Sequence, residues 1–70
     1  MKVERVKDLN TLKRGDLILS VDDGGYEELA TVKCVDNEKM WTEEFIDKSE
    51  ICETFEELKS EYDSIYIIKK

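Results

Sequence analysis

Arg14-Gly15-Asp16-Leu17-Ile18-Leu19-Ser20-Val21 is the stretch from which the rest of the chain can be read. Leu29-Ala30-Thr31-Val32-Lys33-Cys34-Val35 follows it across Asp22-Asp23-Gly24-Gly25-Tyr26-Glu27-Glu28. Together they spell a turn, a strand, a reversal and a second strand. Gly15 supplies the positive φ that such turns need. Side chains alternate along a strand, so Leu17, Leu19 and Val21 share one face and Ile18 and Ser20 the other. In the second strand Ala30, Val32 and Cys34 share a face, which is assigned to the core because the opposite face carries Lys33. The Gly24-Gly25 pair marks the loop between them. Acids on both sides of that pair predict a wide, mobile loop, since like charges facing each other across a tight hairpin repel.

Outward from this centre the signals are shorter. Asp8-Leu9-Asn10-Thr11-Leu12 reads as one capped turn with Leu9 and Leu12 on a common face. Val3 and Val6 suggest a short first strand. Asp36-Asn37-Glu38 reads as a tight turn, because Asn and Asp tolerate the left-handed region. Met40 and Trp41 belong to the strand after it, and a turn of two or of three residues leaves open which of them faces inward. Phe45 and Ile46 stand as apolar anchors among acids, on a fourth short strand or an irregular crossing. Thr54-Phe55-Glu56-Glu57 is a capping box opening a helix that runs to about Ser60, with Phe55, Leu58 and Tyr62 on one stripe. Ser64-Ile65-Tyr66-Ile67-Ile68 is the last strand, expected to pair with the first. The sum is a mainly β chain of four or five short strands and one short helix. Its simplest architecture is a small, bent antiparallel barrel whose closure removes its edges.

Seventy residues form a single domain over 1–70. A chain of this size buries only about 60% of the surface its unfolded form exposes. A binding surface is therefore easier to build than a deep active site. Charged residues make up 41% of the chain, against about 25% in an average domain. Disorder is nevertheless rejected, because the apolar residues fall in strand-like runs and Trp41, Phe45, Phe55, Tyr62 and Tyr66 are spread along the chain. No apolar run approaches the ~18 residues of a membrane span. The first residues lack the apolar segment of a signal peptide. The expected setting is the cytoplasm, with no membrane association and a monomeric state. Cys34 and Cys52 form no CxxC pair. Two free thiols are expected, at least one of them buried.

The formal net charge is −7, unevenly spread. Residues 1–14 sum to +3 through Lys2, Arg5, Lys7, Lys13 and Arg14, whereas residues 15–68 sum to −12, and Lys69 and Lys70 end the chain. Such a field disfavours general nucleic-acid binding and favours a basic partner.

At this point the chain resembles the SH3-like barrels. The carrying residues are Leu12-Lys13-Arg14-Gly15-Asp16-Leu17-Ile18-Leu19, the acidic loop, Ala30-Thr31-Val32-Lys33-Cys34-Val35, and the helix ahead of the last strand. Length, acidity and the absence of Pro and His look like the YorP family of small phage and prophage proteins. That resemblance implies an SH3-like fold of unassigned function. Two departures matter. Nucleic-acid-binding members carry basic loops where this chain has Asp22-Asp23-Gly24-Gly25-Tyr26-Glu27-Glu28. Peptide-binding SH3 domains use an aromatic groove, for which only Tyr26, Trp41, Tyr62 and Tyr66 are available here.

Catalysis is not expected. The chain has no histidine, which removes the commonest general base and metal ligand. Cys34 lies mid-strand, and the acids beside Cys52 weaken a thiolate. No cofactor or metal is expected either. Asp22, Asp23, Glu27 and Glu28 could gather a hard cation, but they lack the EF-hand spacing. The expected function is docking to a basic host or phage protein through Asp22, Asp23, Tyr26, Glu27, Glu28 and Trp41, with Tyr26 as the first anchor. The alternative is a KOW-type nucleic-acid-binding domain using the basic N- and C-terminal segments, with Trp41 or Tyr66 stacking on bases.

Overall fold

Gly15 takes φ +95°, and the Lys13 amide donates to Asp16 Oδ2 at 2.8 Å, so the turn before the central strand is closed by its own sequence. In the computed structural model, which describes residues 2–69, that strand is β2 (Leu17–Val21). The other elements in chain order are β1 (Lys2–Arg5), β3 (Glu27–Asp36), β4 (Lys39–Glu44), β5 (Glu50–Thr54), helix α1 (Phe55–Glu61) and β6 (Ser64–Lys69). A single 3₁₀ turn over Leu9–Thr11 sits between β1 and β2, capped by the Asp8 carboxylate on the Asn10 amide at 3.0 Å. Lys70, counted above with the basic ends, lies outside the described residues.

The six strands form one antiparallel sheet in the order β1-β6-β2-β3-β4-β5. The pairing of the last strand with the first is as expected, and β6 also pairs with β2. The expected closure does not occur: among the described residues no ladder joins β1 to β5. The sheet instead curls on itself, and the molecule measures 27 × 26 × 26 Å. The inner face is filled by Ile18, Ala30, Val32, Met40 and Ile65 from the sheet. Leu9 and Leu12 from the 3₁₀ turn and Phe55 and Leu58 from α1 cover what a closed sheet would have covered.

Three sequence expectations are corrected here. First, Cys34 is exposed and does not line the core. A β-bulge shifts the β3–β4 register between Val32 and Cys34, so the extra residue reverses the alternation and Val35, not Cys34, packs inward. Cys52 is exposed as well, so neither thiol is buried. Trp41 stands between them in the ladder, Cys34↔Trp41↔Cys52. Two strand spacings are ~9.5 Å, beyond the ~7 Å that a disulfide spans. Second, the hairpin between β2 and β3 is compact rather than wide. The pairing runs to Val21↔Glu27, and Asp22 and Tyr26 are joined by a backbone bond of 3.0 Å. The feared repulsion is absent because Glu27 faces Val21 and Glu28 faces Ser20. Third, Phe45 and Ile46 do not anchor the core. They lie in the turn between β4 and β5, 48% and 92% exposed.

The turn at Asn37 and Glu38 holds two residues, both at positive φ (51° and 58°), the pattern of a type I′ hairpin. Its length decides the register: Val35 faces Met40, Met40 enters the core at 2% exposure, and Trp41 turns to the outer face, half-buried.

The capping box is formed as the sequence spells it. Thr54 Oγ1 accepts from the Glu57 amide at 3.1 Å, and Glu57 Oε1 accepts from the Thr54 amide at 2.9 Å. With only seven residues in α1, the helix depends on this cap and on burying Phe55 and Leu58. Thr54→Ala is expected to cost about 1 kcal/mol. A thermal melt checks it, and an unchanged midpoint would mean the cap is dispensable.

Candidate functional site

Asp22 organises the tip of the β2–β3 hairpin. Its Oδ1 accepts from the Gly24 and Tyr26 amides, both at 2.9 Å. Gly25 takes φ +85°, which completes the reversal. The carboxylate is thereby tied to the backbone, while Asp23, Tyr26 and Glu27 project outward, Tyr26 being 77% exposed. Of the six predicted contact residues, Asp22, Asp23, Tyr26 and Glu27 are brought together here. Glu28 and Trp41 are not. Glu28 points to the inner face, since residues 28, 30 and 32 share a side of β3, and its Oε2 accepts from the Tyr62 hydroxyl at 2.8 Å. Trp41 sits between the two cysteines on the outer face, at the opposite half of β4.

The tip has a neighbour that the sequence reading missed. The Phe45 amide donates to the Leu29 carbonyl at 3.0 Å, so the β4–β5 turn lies against β3 three residues from Tyr26. That separation is about 10 Å along an extended strand. This turn is closed by Asp47, whose Oδ1 accepts from the Ser49 amide at 3.0 Å and from its hydroxyl at 2.7 Å. Those two bonds hold the Asp47 carboxyl below its usual range. Lys48 adopts φ +63° and places its Nζ 5.1 Å from the Phe45 ring centre. Tyr26, Phe45 and Ile46 thus present exposed apolar surface at one end of the sheet, among Asp23, Glu27, Asp47 and Glu50. A signal was available: Phe45-Ile46 within Thr42-Glu43-Glu44-Phe45-Ile46-Asp47-Lys48-Ser49 has no strand alternation to bury it.

A second acidic feature lies inside the curl of the sheet, beside α1. A narrow cleft of about 20 Å³ is lined by Ser20, Glu28, Thr42, Glu44, Glu53 and Tyr62. That volume holds about one water, too little for a substrate. Burial pushes the Glu53 carboxyl up to about 7, helped by a hydrogen bond with Glu61 and by the charges of Glu61, Glu57 and Glu28. Burial also raises Glu44, with Glu28 and Asp47 adding to it. Tyr62 is raised by burial first and then by its bond to Glu28. Of these groups Glu53, at about 7, holds its proton part of the time at neutral pH.

Among the described residues no three His, Cys, Asp or Glu side chains gather as a cation shell. Glu27 and Glu28 point to opposite faces of β3, which separates the four acids that the sequence placed side by side. No helix among the described residues is long and apolar enough to cross a membrane. No family model, curated protein or solved structure matches the chain.

Proposed function

We propose that the protein is an interaction module, on an SH3-like scaffold, that docks a basic partner at the end of the sheet formed by the β2–β3 tip and the β4–β5 turn. The single observation carrying this reading is that Tyr26, Phe45 and Ile46, all exposed, stand at the same end of the sheet, the Phe45 turn being bonded to β3 at Leu29, three residues from Tyr26. Apolar anchors inside a charged rim are the usual anatomy of a protein interface. The rim is negative, so the complementary surface is positive. The anchors stand on two closed turns, so little ordering entropy opposes docking. The scaffold reading is supported by the last strand lying between the first and second, and by the helix that precedes it. The phage or prophage setting and the cytoplasmic location remain part of this proposal, resting on the sequence resemblance and composition alone.

The test uses a Lys/Leu amphipathic peptide of about twenty residues as the probe, followed by fluorescence anisotropy. Tyr26→Ser with Ile46→Ser is expected to weaken binding at least ~10-fold, as loss of interface anchors does. Asp23→Asn with Glu27→Gln and Glu50→Gln is expected to flatten the salt dependence. Equal affinity for wild type and both variants would remove the proposal. Binding of duplex DNA or single-stranded RNA in preference to the peptide would favour the nucleic-acid reading through the basic ends.

A further inference from the structure

The end of β1, the last turn of α1 and the start of β6 enclose a second cleft, of about 130 Å³ against about 20 Å³ for the acidic one. Its walls are fixed by backbone bonds. The Val6 amide donates to the Ile65 carbonyl at 2.8 Å, the Tyr62 amide to the Leu58 carbonyl at 2.9 Å, and the Asp63 amide to the Val21 carbonyl at 2.8 Å. The floor is apolar, made by the core residues Leu9, Leu58 and Ile65. Tyr62 lines the cleft with its ring, its hydroxyl being bonded to Glu28. The rim is basic: Arg5, Lys7 and Lys59, all exposed, line it against a single acid, Asp63. None of the three cations is held in a salt bridge among the described residues. Glu61, near the end of α1, is engaged with Glu53 rather than with this rim.

We infer that this cleft binds a small phosphate monoester, with the phosphoryl group among Arg5, Lys7 and Lys59 and the ester body on the apolar floor. Charge decides the ligand class. Three cations against one acid leave an excess of two positive charges, in a chain whose net charge is −7. A phosphate monoester carries about −1.5 to −2 at pH 7, which neutralises that excess. A carboxylate supplies only half of it. The Arg5 fork can hold two phosphoryl oxygens at once, and the lysines add point charges beside it.

The floor selects an ester over free phosphate, because an apolar body leaves water there and the bare anion has none to bury. It also separates a monoester from a nucleic-acid backbone, whose diesters carry one charge per phosphate and hold their sugars and bases on both sides of it. The site is independent of the docking surface proposed above and takes a ligand of the opposite sign, since a basic partner is repelled by this rim. Affinity is modest, because the cations stand in water and the ligand is small. A Kd on the order of 1 mM follows.

Phenyl phosphate is the probe, titrated into the ¹⁵N-labelled full chain at neutral pH and fixed ionic strength. Amide shifts at Val6, Lys7, Lys59, Ser64 and Ile65 are expected to approach saturation by ~10 mM. No shift at these amides overturns the inference. Benzoate has the same ring and one charge, and should bind at least ~5-fold more weakly; equal affinity overturns the dianion. Inorganic phosphate lacks the ring and should also bind more weakly; equal affinity overturns the ester. Arg5→Gln with Lys59→Gln, both on exposed side chains, should keep the wild-type melting midpoint and lose at least ~10-fold in affinity. Lys13→Gln removes a charge outside the cleft and should change affinity less than ~2-fold. A loss as large in Lys13→Gln as in the double variant reduces the effect to net charge and overturns the site. Tighter binding of single-stranded DNA per phosphate, at the same amides, overturns the small ligand.

Discussion

Ile18→Ala is expected to leave the protein close to unfolding at room temperature. Ile18 is 1% exposed, lies on the central strand β2, and is flanked in the ladder by Ala30 on one side and Ile67 on the other. Removing a buried isoleucine's three outer carbons costs about 2–5 kcal/mol, because the cavity collapses only in part. A seventy-residue domain has a total stability of roughly 4–10 kcal/mol. The substitution therefore removes a large fraction of it and should lower the melting midpoint by roughly 10–30 °C. Ile46→Ala provides the contrast. Ile46 is 92% exposed in the β4–β5 turn, so its loss should change stability by less than about 0.5 kcal/mol. Urea unfolding followed by circular dichroism measures both. Similar midpoints for the two alanine variants would show that the inner face has been assigned to the wrong side of β2.

The second large effect is a loss of stability as pH rises through neutrality. Glu53 moves from an ordinary value of 4.5 up to about 7 on folding, chiefly through burial and then through its bond with Glu61. The fold thus prefers Glu53 protonated. A raised carboxyl pKa contributes stability that is fully present below about 4.5 and is lost as pH climbs through 7. Glu44, raised by burial, acts in the same direction. Asp47 and Glu57 act oppositely. Hydrogen bonds from Ser49 and Thr54 hold them low, so their contribution is lost only as the solution becomes strongly acidic. Stability should therefore peak near pH 5 and fall towards pH 8. Glu53 is only partly buried, and water screens much of the effect, leaving on the order of 1 kcal/mol. General repulsion among the acids slopes the same way. Glu53→Gln separates the two: its melting midpoint should vary less between pH 5 and 8 than that of wild type. Parallel profiles for the two proteins would assign the whole slope to net charge.

Several elements were legible in the sequence because each is enforced within a few residues of itself. The Asp8 cap, the Gly15 turn, the bounds of β2, the Thr54-Glu57 box and the β-branched run of β6 all rest on short-range hydrogen bonding or sterics. The bulge at Lys33 was not legible, since nothing in Val32-Lys33-Cys34-Val35 signals an extra residue; the pairing with β4 imposes it. Nor was β5, whose Glu50-Ile51-Cys52-Glu53-Thr54 is too charged to read as a strand and is held by its ladder to β4. Half of the candidate docking site was visible in the same way. Asp22, Asp23, Tyr26 and Glu27 belong to one turn, whereas Phe45 and Ile46 reach it only through the bond from Phe45 to Leu29 across the sheet.

The sequence by itself determined the mainly β character, the positions of the turns and caps, and the acidic excess, because these depend on backbone sterics, side-chain alternation and the count of charges. Only the tertiary structure decided which faces are covered, which acids meet, and that the sheet curls without closing. Those outcomes depend on register between distant strands. A shift of one residue, as at Lys33, exchanges the inside for the outside of everything beyond it.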